Sequence, residues 1–177
     1  MKGMVLIMKN SLVVYYSWLG NTKVVAEEIV KHMGGDIIRI KENKERKNGA
    51  GLAASALEAA IGMKSDLKPM DFEFEKYDHI FLGAQVWAGR STPAINAFVK
   101  KANLHNKSIY LFITKANDKV PEKVISSLTE RIRKKGGKVV DSFSITTKMD
   151  QVISPEAVED QVKAWIEKLN NLDKERR

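Results

Sequence analysis

Apolar, β-favouring runs recur along the chain, and most give way to segments whose apolar residues return at helical spacing. Leu12 to Tyr16 is an unbroken apolar run with no polar alternation, which predicts a strand buried on both faces. Lys23-Val24-Val25-Ala26-Glu27-Glu28-Ile29-Val30 then carries a helical apolar stripe, and Gly34-Gly35 stop it. Asp36 to Ile40 reads as a second strand, Lys41 to Asn48 as a charged loop, and the alanine-rich Ala50 to Met63 as a helix with Leu52, Ala56, Ala59 and Ala60 inward. Ser65 to Glu75, holding Pro69, is a connector. Tyr77 to Gly83 is the third strand, and Thr92-Pro93 opens a helix striped by Ala94, Ile95, Phe98 and Val99. Lys107 to Ile113 is a fourth strand, Val120-Pro121 to Lys135 a helix, Lys138 to Ile145 a fifth strand, and Ser154-Pro155-Glu156 starts a last helix to about Leu169.

Strand and helix alternate throughout, and the middle strands are apolar runs. That order predicts an α/β protein, a doubly wound five-stranded parallel sheet with helices on both faces and right-handed crossovers. Ligands of such sheets sit beyond the carboxyl ends of the strands. Three loops leave the strands there, Ser17–Thr22, Ala84–Thr92 and Thr114–Lys119, so function is expected in those three.

Composition narrows the chemistry. The 177 residues suit one domain, taken as residues 11–177 behind a short N-terminal extension, residues 1–10. Met4 to Met8 is apolar but too short for a secretory signal or a membrane span, and Met8 offers an alternative start, so a cytoplasmic address is expected. With no cysteine, thiol catalysis, disulfides and thiolate-held metals are excluded. His32, His79 and His105 stand far apart without metal-ligand spacing and read as structural or surface residues. Thirty basic against 22 acidic residues give +8, which raises nucleic acid as a partner. The basic residues are dispersed, the densest group closing a helix at Arg131 to Lys138, and no aromatics interleave them, so no nucleic-acid partner is expected.

The first loop runs from a strand into a helix, where unpaired N–H groups meet the positive end of the helix dipole and favour an anion. Ser17 and Thr22 add hydroxyls, Asn21 an amide, and Gly20 lets the backbone close without a Cβ. The plainer alternative is that Ser17 and Asn21 only cap the helix. The loop is no nucleotide P-loop, since Gly-Lys-Ser/Thr is missing, and it lacks the three glycines of a dinucleotide fingerprint. In the second loop Trp87 offers a face for stacking a planar heterocycle, or else plugs the end of the core, while Ser91 and Thr92 are candidate helix caps. In the third, Thr114 and Asn117 are candidate hydrogen-bonding groups for such a ring and Lys115 a cation near it, against plain strand-to-helix punctuation.

The first loop resembles the phosphate loop of the flavodoxin family, Ser-x-Thr-Gly-Asn-Thr, with Leu19 where that family places a hydroxyl residue. Tyr77-Asp78-His79-Ile80-Phe81-Leu82-Gly83, followed by Trp87-Ala88-Gly89 and Pro93-Ala94, is similar to the family's Tyr-Asp-x-Ile-x-x-Gly-x-Pro-x-Trp-x-Gly-x-x-Pro. The two motifs agree in order and distance, and the pattern spans about Ser11 to Leu169. The resemblance implies strand order 2-1-3-4-5 and one non-covalent FMN. It places FMN-binding residues at Ser17, Trp18, Leu19, Gly20, Asn21 and Thr22, at Gln85, Val86, Trp87, Ala88 and Gly89, and at Thr114, Lys115 and Asn117. It further implies electron transfer to a redox partner protein or a small-molecule acceptor, with no catalytic side chain. An FMN-dependent NAD(P)H:quinone-type oxidoreductase is the first alternative, a flavin-free binding module of the same fold the second. The departures are Gln85 in place of Pro, a third loop without the family's glycines, and a basic chain where electron carriers are typically acidic, which points to an acidic partner or a reductase role.

Overall fold

The long apolar runs pair into one parallel sheet. The computed structural model describes residues 10–44, 57, 64–70, 73–148 and 150–174. Its elements are β1 (Ser11–Tyr15), α1 (Asn21–Met33), β2 (Asp36–Arg39), a 3₁₀ turn (Phe74–Lys76), β3 (His79–Trp87), β4 (Arg90–Ser91), α2 (Pro93–Lys101), β5 (Ser108–Lys115), α3 (Glu122–Lys134), β6 (Lys138–Thr146) and α4 (Glu156–Lys174). The order is β2-β1-β3-β5-β6, every neighbour parallel, and β4 is paired antiparallel onto β3. Leaving out the two-residue β4, this is the expected 2-1-3-4-5 order. The expected helix Ala50–Met63 lies outside the described residues except for Leu57, and so do residues 1–9 of the extension.

Side chains alternate across the central strands and divide the core in two. Leu12, Val14, Ile80, Leu82 and Leu111 pack with Ile95 and Phe98 of α2 and with Val124, Leu128 and Ile132 of α3. Val13, Phe81, Tyr110 and Phe112 pack on the other face with Val25 and Ile29 of α1 and Val162 and Trp165 of α4. β1 is buried at every residue, as its unbroken apolar run requires. Thr92 caps α2, its Oγ1 accepting from the Ile95 N–H at 3.4 Å, and Pro93 follows at the first helical position. No helix among the described residues is long and apolar enough to cross a membrane.

Most boundaries shift by one or two residues from the sequence reading, and two shift further. β3 does not end at Gly83 but runs to Trp87, because its pairing with β5 continues through Gln85↔Thr114 and its last residues then fold back with β4. α4 continues past Leu169 to Lys174, where Leu172 still packs against the core.

Gly83 shows how tightly the central strands are set. It lies in register between Tyr15 and Phe112, and a Cβ there would stand 2.8 Å from Tyr15 Cβ and closer still to the Phe112 ring. Gly83→Ala is expected to destabilise the protein by about 1–3 kcal/mol through overpacking, read as a fall in the urea midpoint without a change in m-value.

Candidate functional site

The turn from β1 into α1 has the strongest anion-binding geometry. Gly20 occupies the N-cap position at φ +110°, a left-handed conformation that glycine accepts without a Cβ penalty. Gly20 brings no capping side chain and no acidic residue stands in the first turn of α1, so no carboxylate of that turn occupies the positive end of the helix. Ser17, 1% exposed, accepts the Gly20 N–H on its Oγ at 3.1 Å, and Arg39 Nη2 donates to the Ser17 carbonyl at 2.8 Å. The turn is thus closed from behind by a hydroxyl and a guanidinium.

The capping alternative holds in part for Ser17, whose Oγ takes the N-cap N–H of Gly20, and not for Asn21. Asn21 instead clamps the segment after β6. Its Nδ2 donates to the Lys148 carbonyl at 3.1 Å and its Oδ1 accepts from the Ile153 N–H at 2.8 Å. That segment also lays Val152 over the turn, with its Cγ2 3.3 Å from where a Cβ on Gly20 would stand. Leu19, half-buried, brings no hydroxyl to the turn.

The three loops named from the sequence come together. Thr22 Oγ1 and Thr114 Oγ1 share a buried hydrogen bond of 2.8 Å, joining the first loop to the end of β5. Gln85 Oε1 accepts from the Trp18 N–H at 2.9 Å, joining the first loop to the second. Gln85 stands where the motif has Pro, so the departure supplies a side-chain acceptor that Pro lacks. Val86 and Trp87 pair with Ser91 and Arg90, leaving Ala88 and Gly89 as a two-residue hairpin turn. Both turn residues are left-handed, at φ +47° and +72°, as a type I′ turn demands. Ala88 bears the strain of that conformation. Ala88→Asn, the residue such a turn prefers beside Gly, is expected to stabilise the fold by about 0.5–1 kcal/mol in thermal melts.

Trp87 is 9% exposed and meets Trp18 edge to face with ring centroids 5.4 Å apart, and Tyr16 at 6.1 Å. Trp18 is half-buried, the more open of the two indoles. Lys115, expected in the third loop, instead ends β5 in register with Thr146 and is buried, its Nζ donating to the Asn117 carbonyl at 2.7 Å and to Thr146 Oγ1 at 2.8 Å. Its ammonium ties β5 to β6. Asn117 Oδ1 accepts from the Lys119 N–H at 3.2 Å, a local turn that favours the punctuation reading of that loop.

Beside the Ala88–Gly89 turn lies a feature the sequence reading missed. A cavity of about 370 Å³ is lined by Gly89, Arg90, Ser91, Lys123, Ser127 and Arg131 among others. Arg131 reaches from α3 to Asn96 Oδ1 at 2.5 Å and to Ser91 Oγ at 2.8 Å. Its partners stand 35 and 40 positions away, and its local sequence reads only as a basic helix end.

No curated protein sequence matches the chain. Among solved structures, a candidate flavoprotein from Bacteroides uniformis superposes with TM-score 0.76 at 18% identity, over 90% of this chain and 98% of that one. A flavoprotein in complex with FMN from Lactobacillus acidophilus superposes with TM-score 0.66 at 24% identity, over 77% and 93%. The oxidised flavodoxin 2 of Bacillus cereus gives 0.52 at 20% identity, over 90% and 99%. These similarities concern the fold. The flavodoxin family model matches residues 10–169, nearly the whole sheet and its helices, and the chain belongs to the flavodoxin family.

Proposed function

We propose that the protein binds one FMN at the three convergent loops and transfers electrons through it. The observation that carries this reading is the carboxylate-free first turn of α1 behind Ser17 and Gly20, in a chain of the flavodoxin family. The donor set fits a phosphate, because backbone N–H groups and a hydroxyl face the helix's positive end and no carboxylate stands in its first turn. Ser17, Gly20 and the first N–H groups of α1 would hold the phosphate. Asn21, Thr22, Gln85 and Thr114 keep the loops in place around it, with Leu19 as part of the turn. The flavin ring would lie against Trp18, backed by Trp87, and be bordered by Val86 and the Ala88–Gly89 turn, with Lys115 and Asn117 shaping the third loop. Bound there, FMN supplies the redox chemistry, and the protein supplies binding, orientation and exclusion of water.

Direct use of NAD(P)H with a small-molecule acceptor is the second reading. The cationic cavity beside the Ala88–Gly89 turn favours it over docking to a redox protein. The first test is a titration of flavin-free protein with FMN, followed by quenching of flavin fluorescence. Saturation at one FMN per chain is expected, and failure to bind leaves the flavin-free module. Bleaching of the bound flavin by NAD(P)H without a second protein selects the reductase, and no bleaching selects the electron carrier.

A further inference from the structure

The cavity beside the hairpin is built around a cation that no carboxylate among the described residues neutralises. Ser91 and Asn96 are buried, and Ser91 Oγ donates to Asn96 Oδ1 at 2.7 Å. Onto this pair Arg131 lays its head group, with Nη1 on Asn96 and Nη2 on Ser91, while its Nε donates to the Ser127 carbonyl at 3.2 Å. Every one of those acceptors is uncharged. Burial holds the guanidinium below its ordinary pKa, and no acidic neighbour among the described residues offsets that. The cavity wall adds Arg90 and Lys123, both exposed, and no carboxylate among the described residues.

A half-buried guanidinium with neutral partners is costly unless something else supplies the negative charge. A guanidinium has five N–H donors in a planar fork, and the three bonds above leave one on each Nη. Ser91 Oγ and Asn96 Oδ1, 2.7 Å apart, fill the parallel Nη1/Nη2 pair, so the two remaining N–H groups diverge and each can donate one charge-assisted bond to a carboxylate or phosphate oxygen. The volume, about 370 Å³, is that of a small-molecule site.

We propose that this cavity binds the carboxylate or phosphate group of a small organic molecule, with Arg131 as its anchor and Lys123 as an outer cation. Ala88 and Gly89 line the same cavity, so a molecule held there lies beside the turn assigned above to the flavin edge. The anion site stands on its own geometry, and its role in presenting a substrate to FMN rests on the FMN reading.

The test is a ¹H–¹⁵N NMR titration of the full chain with inorganic phosphate and, separately, with benzoate. FMN is added first to occupy the phosphate loop. Saturable shifts are expected at the Ser91, Asn96 and Ser127 amides and at the Arg131 side-chain N–H. Arg131→Met is expected to weaken binding by about tenfold or more, the scale of losing charge-assisted hydrogen bonds, and Arg131→Lys to recover part of it. Lys123→Gln, at an exposed position where folding is not at stake, is expected to weaken it by about two- to fivefold, the scale of one exposed charge pair. Shifts with phosphate alone make the site one for phosphate esters, with benzoate alone one for carboxylates. The proposal is overturned if neither probe gives saturable shifts around Arg131 in folded protein, or if Arg131→Met and Lys123→Gln bind the probe as the parent does. Arg131 is then a strut between α3 and β4. Should FMN itself fail to bind, the same titration in flavin-free protein still separates shifts at Ser91 and Ser127 from shifts at the Ser17 turn.

Discussion

FMN is expected to bind this protein at least about a hundredfold more tightly than riboflavin. The two ligands share one ring system and differ by a phosphate, so the ratio isolates the turn between β1 and α1. Two charge-assisted hydrogen bonds from that turn contribute roughly 3–6 kcal/mol, at 1.5–3 each, before the cost of desolvating the dianion. A hundredfold needs about 2.7 kcal/mol of this. The side chains of Asn21 and Thr22 are bound to other loops, so the phosphate falls to backbone N–H groups and Ser17. Ser17→Ala is therefore expected to cost FMN about tenfold and riboflavin little. Gly20→Val is expected to abolish the preference, because φ +110° is closed to a branched residue and Val152 already stands against that position. Fluorescence titrations of both flavins settle the assignment, and equal affinities would remove the phosphate from this turn.

What the sequence could disclose follows from the range of each interaction. Leu12 to Tyr16 has to be buried on both faces, so a strand in mid-sheet was legible from five residues. The two motifs at Ser17–Thr22 and Tyr77–Pro93 were legible because residue type and spacing along the chain define them. Asn21 was not. An amide at the start of a helix reads equally as cap or anion ligand, and its partners, Lys148 and Ile153, lie 127 and 132 positions on. Gln85 looks like a neutral departure from Pro until the Trp18 N–H is placed beside it. The hairpin escaped because Ala88 carries no sign of its positive φ, whereas Asn or Asp before Gly89 would have announced the turn. Arg131 escaped for the same reason as Asn21, since a basic residue near a helix end has a sufficient local explanation in the dipole.

Trp87 carries two readings, core plug and stacking face, and Trp87→Ala is the substitution with the largest expected loss of stability. The indole belongs to the core that fills one face of the sheet, and it meets Trp18 and Tyr16 edge to face at the carboxyl ends of β1 and β3. Removing it leaves a cavity under the first loop, and buried Trp→Ala changes cost about 3–5 kcal/mol. For a residue still 9% exposed, about 3 kcal/mol is expected, a large share of the stability of a domain this size. The loss acts on function indirectly. Without Trp87 behind it, Trp18 loses its support, and the Trp18 N–H bond to Gln85 loses its fixed geometry. FMN affinity is therefore expected to fall together with the melting temperature. Trp87→Phe, which keeps an aromatic contact, is expected to restore most of both. The comparison that decides is Trp18→Ala, which removes the more open indole and leaves Trp87 in the core. If Trp18→Ala weakens FMN binding while melting close to the parent, Trp18 is the face that meets the ring. If it leaves FMN binding intact while Trp87→Phe fails to restore it, Trp87 itself is the stacking residue.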